Sequence, residues 1–350
     1  MLEARPLAGA SRQFLSIQYL RAFAALGVVL YHVSPAEHPI MVGNAGVDIF
    51  FVISGFIMWN ITAERPTSPS AFLKNRLIRI APLYWLITTL LVAGAVAFPK
   101  LFPSLKIDIP YVIGSLLFVP MRPPGSLETG PIWPVLVQGW TLSCEMFFYF
   151  LFSMCLFLRP SWRLAALSLA LVGCVTAGLF YNGSNAIMLR LTEPIFLEFL
   201  AGVLLGVCVQ RDLLPSRQWG YWLAGLAVIA LFGLAMSSVT QPRLLAWGLP
   251  AVMLVGGALI VETTGGLPHL RWLRLIGDSS YSLYLTHGLV ISVLGKVMMH
   301  SWLFSVVGIF AATAAGIAFW RLVEMPLTDT LRKLFAKPQT DRIGSQALQS

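Results

Sequence analysis

An arginine and a histidine inside one bilayer-length apolar segment constrain this chain more than any other feature. The stretch FLSIQYLRAFAALGVVLYHV, from Phe14 to Val33, carries Arg21 and His32. A charge near the middle of a bilayer costs several kcal/mol, so ionisable groups kept there usually face a polar cavity. Eleven residues at about 100° each come to three turns plus roughly 20°, which places both side chains on one helix face about 16 Å apart along the axis. The expectation is a polar face that joins two depths of the membrane.

The rest of the chain fits that setting. Of 350 residues, 57% are hydrophobic and only 11% charged, far from the roughly one quarter charged in soluble domains. The mean hydropathy is +0.77. Apolar runs of membrane length recur and predict an all-α bundle of ten transmembrane helices. The expected spans are Leu15 to Val33, Val47 to Ile61, Pro82 to Phe98, Trp140 to Leu158, Leu164 to Tyr181, Ile195 to Val209, Tyr221 to Val239, Leu244 to Val261, Tyr281 to Met299 and Leu303 to Val323.

Basic residues near span ends stay on the cytoplasmic side. With both termini inside, sixteen Lys and Arg fall in inner segments and six in outer ones, so this orientation is expected over its inverse. The net charge of +9 is then a topology signal suited to an anionic leaflet and calls for no nucleic acid partner. Arg21 interrupts the first apolar run and no convincing small-residue cleavage site follows, so the segment reads as an uncleaved first helix. Residues 1–13 form an inner lead, 14–326 the membrane domain and 327–350 a polar cytoplasmic tail. Cys144, Cys155, Cys174 and Cys208 lie within spans without a CxxC pair or Cys/His cluster, which argues for packing residues and against disulfides or a metal.

Several polar residues could carry chemistry. In FLKNRLIRIAPLYW, Arg76 and Arg79 stand three apart, so two guanidinium forks can converge on one anion; a plain topology anchor is the alternative. With Arg21 on the same side, three arginines would ring one vestibule. His32 suits a general base or a helix end at the interface. Asp48, opening the second span in GVDIFFVISGF, could orient that imidazole or cap its own helix. Glu145 in GWTLSCEMFFYF lies deep enough to need a function or an arginine partner. His287 in YSLYLTHGLV reads as polar packing or site support, and Glu324 reads as a weaker buried acid that could pair with Arg321. Glu198 in FLEFLAGVLLG is a similar weak case, and Gly202 and Gly206 beside it read as close helix packing. His38 is taken as solvated. The connection from Pro99 to Gly139, with the short apolar piece Tyr111 to Pro120, reads as an interfacial or re-entrant loop.

Taken together, LRAFAALGVVLYH, GVDIFFVISGF, RLIRIAPLYW, WTLSCEMFFYF, FLEFLAGVLLG and YSLYLTHGLV resemble the membrane acyltransferase family 3, which includes O-antigen, Nod-factor and exopolysaccharide acetyltransferases. The resemblance runs from about Ser16 to Pro326, and the opening SIQYLRAFAALGVV is most similar to the exopolysaccharide-production branch. The family's first-helix pair, a basic residue and a histidine separated by ten residues, is met by Arg21 and His32, and its RxxR signature by Arg76 and Arg79. The resemblance implies a multi-pass protein of the bacterial inner membrane. It further implies transfer of an acyl group, usually acetyl, from acetyl-CoA to a sugar hydroxyl of an envelope glycan, with His32 as base or acyl acceptor. Partners would be the glycan or lipid-linked sugar, the bilayer and polysaccharide synthesis machinery. Some relatives carry a further soluble esterase-like domain, which is not expected here. A proton-coupled transporter of a glycan or acyl donor is the alternative from another class, and a scaffold a third.

Overall fold

The computed structural model describes residues 13–35, 40–103, 105–236, 241–299 and 301–335. These are helical with no strand among them: α1 (Leu15–Val33), α2 (Ala45–Glu64), α3 (Pro69–Ala97), α4 (Ile109–Leu116), α5 (Gly139–Cys155), α6 (Pro160–Phe180), α7 (Ala186–Leu191), α8 (Phe196–Gln210), α9 (Arg217–Met236), α10 (Leu249–Gly265), α11 (Arg271–Asp278), α12 (Ser280–Leu294), α13 (Trp302–Phe319) and α14 (Met325–Phe335). Two π-helical turns, Leu244–Gly248 and Trp320–Glu324, lead into α10 and α14.

Eight helical segments among the described residues are long and apolar enough to cross a bilayer. Two expected spans fall outside these eight, α5 with 17 residues and α12 with 15, below the roughly 20 of a perpendicular crossing; α8 and α10 reach membrane length joined to α7 and to the π turn Leu244–Gly248. The third expected span starts earlier than Pro82. Ser68 accepts a hydrogen bond from the Ala71 amide at 3.3 Å with Pro69 following, and α3 runs 29 residues straight through Pro82. Ser–Pro is a helix-start signal, and it places Arg76 and Arg79 within the helix rather than in a connection.

The centre of the bundle is α1, which packs against α2, α10, α11, α12 and α13. Large apolar side chains such as Leu169, Trp222 and Phe310 remain more than 70% exposed on the outside, the arrangement of a lipid-facing surface. Inside, Phe148 stacks on Phe199 with centroids 4.3 Å apart. At the crossing of α2 and α8, a Cβ on Gly55 would meet the backbone of Phe199, and one on Gly202 the Val52 carbonyl. The small-residue packing expected at Gly202 is therefore a backbone-to-backbone contact, the device that lets membrane helices approach closely. The connection from α3 to α5 is pinned down: Tyr84 donates to the Ser115 carbonyl at 3.0 Å and Trp85 to that of Leu116 at 2.7 Å.

The first turn of α1 has no side-chain cap of its own. Glu262 of α10 supplies it, accepting from the amides of Leu15 and Ser16 at 2.8 Å each and from the Ser16 hydroxyl at 2.5 Å. A carboxylate there satisfies donors that the helix leaves open and complements the dipole. Glu262→Ala is expected to cost about 1–3 kcal/mol, and Glu262→Gln less, read as the order of unfolding midpoints in detergent; equal midpoints for the three proteins would contradict it.

Candidate active site

Helices α1, α2, α3, α5 and α12 enclose a cavity of about 200 Å³. Arg21, Arg76 and Arg79 line one end, which we call the arginine end. Glu145 lines it too, accepting from Ser54 at 3.1 Å and from Tyr149. On α2, the lining residues Val47, Phe51, Ser54 and Met58 recur at helical spacing, so one stripe of that helix forms a wall.

Each arginine has a distinct environment. Arg21 donates from Nε and Nη2 to Ser280 at 3.2 and 3.0 Å. Arg79 pairs with Glu324 and lies 5.5 Å from the Tyr281 ring centroid. Arg76 has its Nε buried without a partner among the described residues. Three guanidinium groups thus face two carboxylates, Glu145 and Glu324, leaving a formal surplus of one positive charge with unused donors. A vestibule of about 220 Å³, lined by Asp278, Asp329 and Arg332 among others, shares Arg21 and Arg79 with the cavity. Burial pushes the Asp278 carboxyl upward, opposed by the neighbouring Arg274 guanidinium 3.8 Å away.

Glu324 does not pair with Arg321. The chain enters α14 through the π turn Trp320–Glu324, whose i→i+5 bonding rotates residues away from the α-helical i,i+3 register. Glu324, 2% exposed, turns to Arg79 and accepts from Ser282 at 2.5 Å. One carboxylate therefore ties α3 to α12.

His32 lies at the other end of α1, exposed, with its ring centroid 5.0 Å from that of the fully buried His287. Tyr31 is edge-on to it at 5.1 Å. His32 Nδ1 meets the Val28 carbonyl at 2.8 Å and His287 Nδ1 that of Tyr284 at 2.6 Å. A carbonyl only accepts, so both Nδ1 atoms donate, and in the neutral form of each ring Nε2 keeps the lone pair. His287 Nε2 is buried with no partner among the described residues. The pairing of His287 with His32 joins residues 255 positions apart in the chain, and no local pattern announces it.

The cavity stops short of this pair. His32 is absent from its lining, and Tyr284 is present, with its ring 5.8 Å from that of His287. Tyr284 is held by Thr141 at 3.0 Å and by the Gln138 carbonyl at 3.4 Å. The continuous polar shaft expected from helical spacing is thus partitioned, with Tyr284 and His287 between the arginine end and His32.

Asp48 does not orient His32. It sits on the stripe of α2 that includes Val52 and Gly55, the residues meeting α8, and so points away from the imidazole. Fully buried, it accepts from Arg243 at 2.7 Å. Glu198 lies beside it, 1% exposed. Arg243 precedes the π turn Leu244–Gly248, and its distance in sequence from Asp48 hides the pair. His38 lies outside the described residues. No group of three or more His, Cys, Asp or Glu able to hold a metal occurs among them.

Helical membrane architecture, an arginine-lined cavity and an imidazole pair occur in one bundle, and the chain belongs to the acyltransferase family whose domain matches residues 14–321. It is a multi-pass membrane acyltransferase. It is 40% identical over 329 residues to the exopolysaccharide production protein ExoZ of Rhizobium meliloti (strain 1021), covering 91% of this chain and 99% of that one. The acyltransferase MdmB of Streptomyces mycarofaciens is 26% identical, covering 79% and 78%. The O-acetyltransferase OatA of Staphylococcus aureus is 24% identical, covering 91% of this chain and 57% of its own. No solved structure matches the chain. Family membership sets the transporter and scaffold readings aside.

Proposed function

We propose that the protein transfers an acyl group, most simply acetyl, from acyl-CoA to a hydroxyl of an exopolysaccharide or another envelope glycan in the bacterial inner membrane. The arginine end and both termini face the cytoplasm. The observation that carries this reading is the pairing of two sites along α1: a cavity end with surplus guanidinium donors, suited to phosphates, and an exposed imidazole about 16 Å away with a free Nε2. That separation is comparable to the reach of a pantetheine arm.

In this mechanism Arg21, Arg76 and Arg79 hold the donor's phosphates, and the thioester passes the Tyr284 partition toward His32. His32 Nε2 removes the proton of the sugar hydroxyl as its oxygen attacks the thioester carbonyl. The C–S bond then breaks, and the proton held on His32 passes to the departing thiolate. The Tyr284 and Thr141 hydroxyls, at the cavity end nearest the histidines, both donate to the Gln138 carbonyl and turn from it to donate to the developing oxyanion. His287 supports the His32 ring, and Asp48 with Arg243 holds the neighbouring end of α2. Supporting the glycan as acceptor, the relatives include a protein named for exopolysaccharide production and one named as an O-acetyltransferase.

The test is transfer of label from radioactive acetyl-CoA to polysaccharide in vesicles containing the protein, with acetylated acyl carrier protein as a parallel donor. Label that moves from acetyl-CoA into an alkali-labile ester is the expected result. Label that moves only from the carrier protein, or that stays off the glycan, overturns the reading.

A further inference from the structure

A second cleft, of about 120 Å³, opens where the first turns of α1 meet the last turns of α2. It is distinct from the arginine cavity, yet Ile57 lines both. Its walls include Phe14 and Phe56, buried and packed edge to face with centroids 5.2 Å apart. Gln18 also lines it, and Gln18 Oε1 is buried without a hydrogen-bond partner among the described residues. A buried acceptor left unpaired is costly, and such a group calls for an explanation.

Gln18 stands three residues before Arg21. Their side chains are therefore neighbours on one helix surface, about 4.5 Å apart along the axis. The amide cleft and the guanidinium cluster are two lobes beside one helix, and the transfer chemistry uses only the second. A slot walled by Phe14, Ile17, Phe56 and Ile57, lined also by Gln13, Asn60 and Glu64, with a waiting acceptor and next to a cationic cluster, matches an adenine nucleotide: the rings lie against the apolar wall, the exocyclic amine donates to the acceptor and the phosphates meet the arginines.

We propose that this cleft is the purine subsite for the donor nucleotide, with Gln18 Oε1 accepting a hydrogen bond from the adenine amine. The proposal rests on the reading of an acyl-CoA donor given above. It assigns part of donor recognition to a residue that touches no phosphate and no reacting atom.

The experiment is calorimetric binding to the full-length protein in nanodiscs, using CoA and its analogue with the 6-amino group replaced by hydrogen. Wild type is expected to bind CoA roughly tenfold tighter than the desamino analogue, because only CoA satisfies the buried acceptor. Gln18→Leu should bring that ratio near one, whereas Arg76→Ala should weaken both ligands alike and preserve it. A wild-type ratio near one, or a ratio unchanged in Gln18→Leu, overturns the proposal. If CoA binds and Arg76→Ala weakens it but the ratio is one, this subsite alone falls. If CoA does not bind wild type, the donor reading falls with it.

Discussion

His32→Ala is expected to lower acyl transfer by about 10²–10⁴-fold while the protein remains inserted and abundant. The physical basis is the free Nε2: the Val28 carbonyl occupies Nδ1, so the outward nitrogen is the one able to take a proton. His287→Ala should produce a smaller loss. His287 is buried and touches the site through His32's ring rather than through solvent. The measurement is the ester content of the surface polysaccharide by mass spectrometry, alongside protein level in the membrane fraction. Wild-type acylation in His32→Ala would remove this residue from the mechanism.

Arg79→Ala should have the second largest effect, because it removes a donor-binding cation and also strands Glu324. Glu324 is 2% exposed and its partners are Arg79 and Ser282. Breaking one side of a fully buried pair typically costs about 3–5 kcal/mol, most of it from the charge left behind; Arg79 is 27% exposed, which places this cost at or below the lower end. The double variant Arg79→Ala with Glu324→Gln should therefore be more stable than Arg79→Ala alone, yet still bind donor poorly. Thermal unfolding in detergent separates the two effects from CoA affinity. A double variant no more stable than the single one would show that the carboxylate carries no cost of isolation.

The parts of this molecule legible in the sequence are those that local pattern encodes. Apolar runs announce the membrane helices, and the i,i+3 spacing of Arg76 and Arg79 announces a shared face. The three arginines do line one cavity. What stayed hidden depends on phase and distance. Asp48 looked available to His32 because the two share a depth, but the face of α2 that carries it turns to α8 and to Arg243, 195 residues away. An α-helical register would pair Glu324 with Arg321, and a π turn breaks that register. Both π turns lie beside a carboxylate–guanidinium pair, and such bulges often accompany functional positions. The start of α3 was legible in Ser68 and Pro69, but Pro82 outweighed it as an apparent boundary.

The cap on α1 bears on how the chain is made. Glu262 lies 247 residues beyond Leu15, so the opening turn of α1 waits for that length of polypeptide to be made before its amides find their protein partner. Until then water at the bilayer surface must serve. A helix made long before α10 is thus secured only after it, and a chain truncated before α10 would keep α1 in the bilayer with its leading turn free to fray.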